Sequence, residues 1–382
     1  MMKIYSKALV LQTVLFSTLS VAAQEDIIEI GNGQFYSYVL KAGSGQPSVL
    51  FCDVNSDGDQ DLIIADYSDN NIVVYQGDGK GHLNELNRIP AGDNPTHMDA
   101  ADINGDGNID IAIANHETSY ITLLLGDGKG GFAQASHSPI KVDVDPHPHA
   151  VTLADLDGDD IEDLIVDDRT NTGLRVLKGK DNGQFVSQGT LIKAGGDPYR
   201  GFAVDDINDD GSLDMVTPNP SAIGIMINKV DKESLGFSLQ TLDMSEAPFA
   251  VELADLNGDA HKDLIVATNG RVISIVPGDG KGGFTKKLES TLTVASGAKQ
   301  IAVGYLNGDG IEDALISNWS GHFTIIFGGN DDFETVNLDH PEIANPWAVA
   351  MADLNNDGLS DMIIADGDSE LAVVYVSKPM SR

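Results

Sequence analysis

Cysteine is almost absent from this 382-residue chain, where Cys52 stands alone. No intrachain disulfide can form and no cysteine follows the N-terminal segment to carry a lipid, so packing and bound metal must supply stability in an oxidising compartment. Basic residues are scarce as well: 23 Lys and Arg face 59 Asp and Glu, a net charge of -36. Nucleic acid, which is bound through basic surface, is therefore not an expected partner. Long apolar runs are confined to the start of the chain. Lys3 and Lys7 precede an apolar stretch over 8–22, and Val21, Ala22 and Ala23 offer small residues for cleavage, so residues 1–23 are expected to be a secretory signal peptide. Its loss, with two lysines, would take the charge from -36 to -38. No later run is apolar enough to span a bilayer. The mature chain, 24–382, is thus expected to be secreted or periplasmic, without an integral membrane segment.

Aspartate, by contrast, is abundant and regularly spaced. A nine-residue acidic loop recurs seven times, beginning at Asp53, Asp102, Asp155, Asp206, Asp255, Tyr305 and Asp353, at intervals of 49, 53, 51, 49, 50 and 48 residues. The copies read DVNSDGDQD, DINGDGNID, DLDGDDIED, DINDDGSLD, DLNGDAHKD, YLNGDGIED and DLNNDGLSD. Such a period marks an array of supersecondary units that bury a core only together, so residues 24–382 are read as one domain. Positions 1, 3, 5 and 9 of the loops hold 21 aspartates, a clustering that is costly unless cations are bound.

The oxygen-bearing side chains alternate along each loop. They are Asp53, Asn55, Asp57 and Asp61 in the first, Asp102, Asn104, Asp106 and Asp110 in the second, and Asp155, Asp157, Asp159 and Asp163 in the third. Asp206, Asn208, Asp210 and Asp214 follow in the fourth, and Asp255, Asn257, Asp259 and Asp263 in the fifth. The sixth keeps Asn307, Asp309 and Asp313 but has Tyr305 in place of the first carboxylate; the seventh has Asp353, Asn355, Asp357 and Asp361. Position 7, held by Asp59, Asn108, Ile161, Ser212, His261 and Leu359 in the six loops with a full set, adds a main-chain carbonyl. Alternating oxygens around a tight turn suit a hard cation with six to eight ligands, and Gly at position 6 permits the bend. Calcium is the expected cofactor, at up to seven sites with the sixth weakened. Magnesium favours stricter octahedral geometry, and zinc or copper would need His and Cys. Asp160 and Ala260 replace the turn glycine in loops three and five and are expected to strain the bend. Position 12 carries Ile64, Ile113, Val166, Thr217, Val266, Ile316 and Ile364 rather than the glutamate of an EF-hand, within short β-branched runs that predict strands.

Each unit repeats one grammar. In the fifth, strands are predicted over 249–254, 264–267, 272–276 and 288–294, with the acidic loop between the first two and GDGKGGF between the last two. Four antiparallel strands per unit, seven times over, predict an all-β, seven-bladed propeller. Residues 33–42 match a fourth strand, whereas the chain stops after a third strand over 371–376, so the N-terminal strand is expected to complete the last blade and close the ring. The acidic loops, the apolar strands after them, the GDGKGGF turns and the phrase Phe327-Gly328-Gly329 together resemble the FG-GAP/VCBS repeat family, which includes integrin alpha head domains and many secreted bacterial proteins. The resemblance implies a calcium-binding propeller used for adhesion, carbohydrate binding or as an accessory to enzymes.

If the first strand of each blade runs toward the acidic loop, the 1–2 and 3–4 loops share one face and the 2–3 and 4–1 connections share the other. Six residues before the acidic loops stand Pro47, Thr96, His149, Arg200, Phe249, Lys299 and Trp347, with His97, His147 and Tyr199 beside them. The 2–3 loops add Tyr67, His116, Tyr120, Arg169, Arg271, Trp319 and His322. A concave, aromatic and cationic mouth on an acidic protein is the expected ligand site, with His97, His147, His149, Tyr199, Arg200, Phe249, Lys299, Trp319 and Trp347 as its residues. Plainer roles compete: Phe249 and Trp347 could plug the channel, and Pro146-His147-Pro148-His149 could be a solvated turn. His97, His147 and His149 could also form a second, transition-metal site.

The favoured function is a monomeric recognition module taking carbohydrate or protein, in which Trp347, Trp319 and Tyr199 stack and Arg200, Lys299 and His149 bond polar or acidic groups. The alternative is a polysaccharide lyase on uronic-acid polymers, with His149 or Tyr199 as base and Arg200 neutralising the carboxylate. No Ser-His-Asp grouping is legible, and catalysis is the less favoured reading.

Overall fold

After each acidic loop the chain enters a strand hidden from solvent. In the computed structural model, which describes residues 27–31, 33–199, 201–229, 235–286, 289–330 and 333–378, Asp61–Asp66, Asp110–Asn115, Asp163–Asp168, Asp263–Thr268, Asp313–Asn318 and Asp361–Asp366 are buried at every residue. The segment read as a signal peptide and Arg200 lie outside the described residues. Because side chains alternate across a strand, Leu62 and Ile64 pack into one apolar cluster while Ile63 and Ala65 pack into another. Burial on both faces explains why these strands read as unbroken apolar runs instead of alternating.

Every named element is a strand, and the strands form seven antiparallel blades and one two-stranded hairpin, Gly179–Lys180 with Gln184–Phe185. Blade 1 is Ser48–Cys52, Asp61–Asp66, Asn71–Gly77 and Leu83–Pro90; blade 5 is Pro248–Ala254, Asp263–Thr268, Val272–Val276 and Ser290–Thr293. The predicted strands of the fifth unit therefore hold to within two residues at every boundary that is described. In blade 2 the outer strand is split, Phe132–Gln134 and Ile140–Lys141 both pairing with Tyr120–Gly126. No helix among the described residues is long and apolar enough to cross a membrane.

The expected closure is present. Gly33–Lys41 pairs antiparallel with Leu371–Lys378 from Gln34 opposite Lys378 to Lys41 opposite Leu371, completing blade 7. A further strand, Ile27–Ile30, folds back on it as a fifth, outermost strand that the repeat pattern did not foretell. Seven apolar clusters then lie between successive blades, the last uniting Val49, Leu62 and Ile64 of blade 1 with Ala348, Ile363 and Ala372 of blade 7. Each fully buried Ile or Leu in these clusters contributes about 1.5–3 kcal/mol, so the molecule is held together between blades. First strands of neighbouring blades line the central channel.

Candidate functional site

The acidic loops curl on their own side chains. In the first, the amides of Asp57 and Gly58 donate to Asp53 at 3.2 and 2.9 Å, Asp57 also donates to Asn55 at 2.9 Å, and Asp59 donates to Asp57 at 3.0 Å. Similar bonds recur in the other loops with an aspartate at position 1. The bend needs left-handed backbone at position 6, and Asp160 and Ala260 adopt it at φ 65° and 70°, as the glycine substitutions implied. It also needs it at position 4, where Ser56, Asp209 and Asn356 each sit at φ 59°. In the third loop Asp155, Asp157 and Asp159 have carboxylate oxygens within 4.8 Å of one another, and the buried Asp157 Oδ1 has no hydrogen-bond partner. An all-oxygen, convergent donor set of this kind fits a hard divalent cation. Lys178 alone intrudes, its ammonium pairing with Asp157 and, at 3.1 Å, with Asp159. Loop six lacks the bonds to position 1, since Tyr305 stands there exposed.

Position 9 has a different task. Asp61, Asp110, Asp163, Asp214, Asp263, Asp313 and Asp361 are fully buried, and one carboxylate oxygen of each accepts the amide of loop position 2. The other oxygen accepts an amide at the end of the third strand, as from Gly77 to Asp61 and Gly126 to Asp110, both at 2.8 Å. These aspartates clasp the loop to the blade, whatever they give a metal besides. Burial pushes them up, to about 6 for Asp110 and about 7 for Asp361, against the lowering effect of the same amides. The GDGKG turns extend the stitching, with Gly81 donating to Leu354 O at 2.9 Å and Gly282 to Ile207 O at 3.3 Å, across blade boundaries. The loops of this face are thus stitched to their own blades and to the neighbouring ones.

On the opposite face an aromatic arc runs across four blades, from blade 2 to blade 5. His116 and His147 have ring centroids 4.1 Å apart, His116 and His149 4.8 Å, His147 and His149 4.7 Å. Tyr199 continues the arc 5.6 Å from His149, and Phe249 lies 5.8 Å from Tyr199. Phe249 is buried and belongs to the wall. The arc borders a cavity of about 150 Å³ at the channel mouth, whose lining includes His116, His149, Phe202, Glu252, Lys299 and Trp347. Arg169 lies over the Tyr199 ring at 4.4 Å and pairs with Asp197 at 3.2 Å, a cationic contact to Tyr199 that was placed on this face but not in the site. Across the mouth, Lys299 is buried with its ammonium 4.3 Å from the Trp319 ring and 4.5 Å from the Trp347 ring, donating to Pro346 O at 2.8 Å and to Asn345. It therefore braces the two tryptophans, which meet edge to face at 5.3 Å. Trp347 packs against the cluster between blades 7 and 1, whereas Trp319 is 46% exposed.

His97 does not join the other histidines. The amide of Val151 donates to its Nδ1 at 3.4 Å, stitching blade 2 to blade 3, and burial lowers its pKa. The residue that does meet His147 and His149 is His116, from the 2–3 loop of blade 2. Asp167 is a second residue of this cluster outside the sequence expectation. It is fully buried, its Oδ1 accepts the amides of His149 and Ala150 at 2.7 and 2.9 Å, and its Oδ2 lies 3.3 Å from His149 Nδ1. A signal was available: the other repeats have Ala65, Ala114, Pro218, Ala267, Ser317 and Ala365 at this position. Deeper in the channel, burial drives Glu252 to about 7 and Asp99 to about 6.

Fold and loops define the class, a seven-bladed β-propeller bearing repeated acidic loops on one face. The chain belongs to the FG-GAP-like repeat family, whose pattern matches residues 53–113, 102–166, 206–266, 255–316 and 305–364. No curated protein sequence matches it significantly. Among solved structures it is similar to BBS1N in complex with ARL6DN, soaked with lead: 13% identity, TM-score 0.62, covering 90% of this chain and 97% of that one. The mercury-soaked form of that complex matches at 13% identity and TM-score 0.63, covering 91% and 98%. A further similar structure concerns specific recognition of non-reducing terminal N-acetylglucosamine by an Agrocybe aegerita lectin, at 14% identity and TM-score 0.52, covering 85% and 86%. At these identities the likeness is one of fold.

Proposed function

We propose that the protein is a secreted or periplasmic recognition module that takes a carbohydrate at the channel mouth, with calcium in the acidic loops holding the opposite face. The observation that carries this reading is the 46% exposed indole of Trp319, braced by Lys299 and Trp347 at the rim of a polar, imidazole-lined cavity. A flat indole fixed beside hydrogen-bonding groups suits the apolar face of a sugar ring. A lectin and a protein-binding propeller share this architecture, which supports use of the fold for recognition. Calcium acts at a distance here, fixing strand ends without touching ligand.

The test is a glycan and polysaccharide binding screen with and without calcium, followed by titration of Trp319→Ala. Binding weakened at least tenfold, with the melting temperature unchanged, is expected. Trp347→Ala is a poorer probe because that ring also packs into the core. Absence of any glycan ligand, or full retention by Trp319→Ala, would overturn the carbohydrate reading and leave a protein partner to be sought. Release of unsaturated products from uronic-acid polymers, abolished by His149→Ala, would make the protein a lyase instead.

A further inference from the structure

Three imidazoles in mutual contact are unusual on a protein with nine histidines and a net charge of -36. They come from two separate segments, His116 from the 2–3 loop of blade 2 and His147 and His149 from the connection into blade 3. One ligand atom from each lies within 4.8 Å of the others. Their side chains are 11%, 16% and 10% exposed, sheltered yet reachable from the mouth.

Behind the rings stand carboxylates. Asp167 Oδ2 is 3.3 Å from His149 Nδ1, Glu117 Oε1 is 3.4 Å from His116 Nδ1, and Glu117 Oε2 is 4.0 Å from His147 Nδ1. A carboxylate near Nδ1 biases a ring toward carrying its proton there and presenting Nε2 to a metal; at 3.3–4.0 Å these contacts are electrostatic, without hydrogen-bond geometry. Asp167 is fully buried at a position where other repeats place Ala, Ser or Pro, and its second oxygen has no hydrogen-bond partner of good geometry. The formal charge of these two carboxylates matches that of a divalent ion. Glu117 is held there in left-handed backbone at φ 61°, a conformation that few non-glycine residues adopt without a reason.

We propose that His116, His147 and His149 form a site for a divalent first-row transition ion of the zinc type, oriented by Asp167 and Glu117 and separate from the acidic loops. Nitrogen ligands distinguish it from a calcium site, and three protein ligands leave a fourth coordination position open. The site stands or falls independently of what occupies the mouth.

The full chain, purified without a polyhistidine tag, is dialysed against limiting zinc in excess calcium and its metal content measured. Wild type is expected to retain one zinc per chain, and cobalt(II) in its place to give the intense visible bands of a four-coordinate site. His147→Ala is expected to lower zinc affinity at least ~100-fold and Asp167→Asn by ~10–100-fold, the latter being the usual effect of losing a carboxylate behind a ligand. His82→Ala, in a turn on the opposite face, should leave retention unchanged. Retention unaltered in His147→Ala would overturn the proposal. So would the absence of cobalt bands from folded wild type, a result that does not depend on any variant folding.

Discussion

Asp106 and Asp110 share a loop and a side chain, yet their surroundings divide their roles. The Asp106 side chain is exposed and accepts from the Asn108 amide at 2.9 Å, while Asp110 is fully buried and accepts from Ile103 and Gly126 at 3.2 and 2.8 Å. Removing a buried acceptor of two amides costs about 2–4 kcal/mol. Asp110→Ala is therefore expected to lower the melting temperature in calcium and in chelator alike, whereas Asp106→Ala lowers it in calcium only. Equal behaviour of the two in chelator would show that position 9 acts only through metal. A second residue-scale expectation concerns Glu252, pushed up to about 7 chiefly by burial. Its folded value lies above the ordinary ~4.3 of a glutamate. Between those values the folded state holds a proton that the unfolded state has released, so stability falls as pH rises through this window and levels off above about 7. Glu252→Gln removes that slope. It should raise the melting temperature at pH 8 by about 1–3 °C and by less at pH 5; an equal gain at both would locate its effect elsewhere.

At the scale of elements, the loops and second strands were the most legible, because their chemistry is local. An alternation of Asp and Asn around glycine, followed by an apolar run, names its own turn and strand. Ala260 illustrates how far this reaches: its φ of 70° was implied simply by its standing where other loops have glycine. Left-handed backbone costs an L-residue ~1–2 kcal/mol, offset in part by the entropy that glycine adds to the unfolded chain. Ala260→Gly is therefore expected to stabilise by about 0.5–1 kcal/mol, read from denaturant midpoints; destabilisation would mean that the Ala260 methyl contributes packing. The candidate site was legible only as a face. Pseudo-symmetry placed His116, His149, Tyr199 and Trp347 at one end of the channel, but not which would touch. Sequence offers Lys299 as a ligand donor, whereas in the fold its ammonium lies against two tryptophans and donates to the Pro346 carbonyl. His97 and His149 occupy similar places in sequence, and only the Val151 amide and the Asp167 carboxylate tell them apart.

At the scale of the molecule, stability lies between blades, so it depends on the ring being shut. The N-terminal half supplies Gly33–Lys41 to blade 7, with Ile27–Ile30 outside it, and residues 33–42 bring Phe35, Tyr36, Leu40 and Ala42 into the clusters on either side of that blade. Without it, Leu371–Lys378 becomes an edge with unpaired amides, and an exposed edge of apolar residues invites pairing with another chain. Deletion of residues 24–42 is expected to lower the melting temperature by upwards of about 10 °C, since several buried side chains worth ~1.5–3 kcal/mol each are lost. Size-exclusion chromatography should show dimers or larger species. A synthetic peptide of residues 27–42 added in trans should bind the truncated chain and restore the monomer, because the eight-residue ladder from Gln34 to Lys41 can form between chains as it does within one. A truncated chain that melts like the intact protein would show that the six complete blades hold the seventh without closure, and that the inter-blade clusters alone suffice.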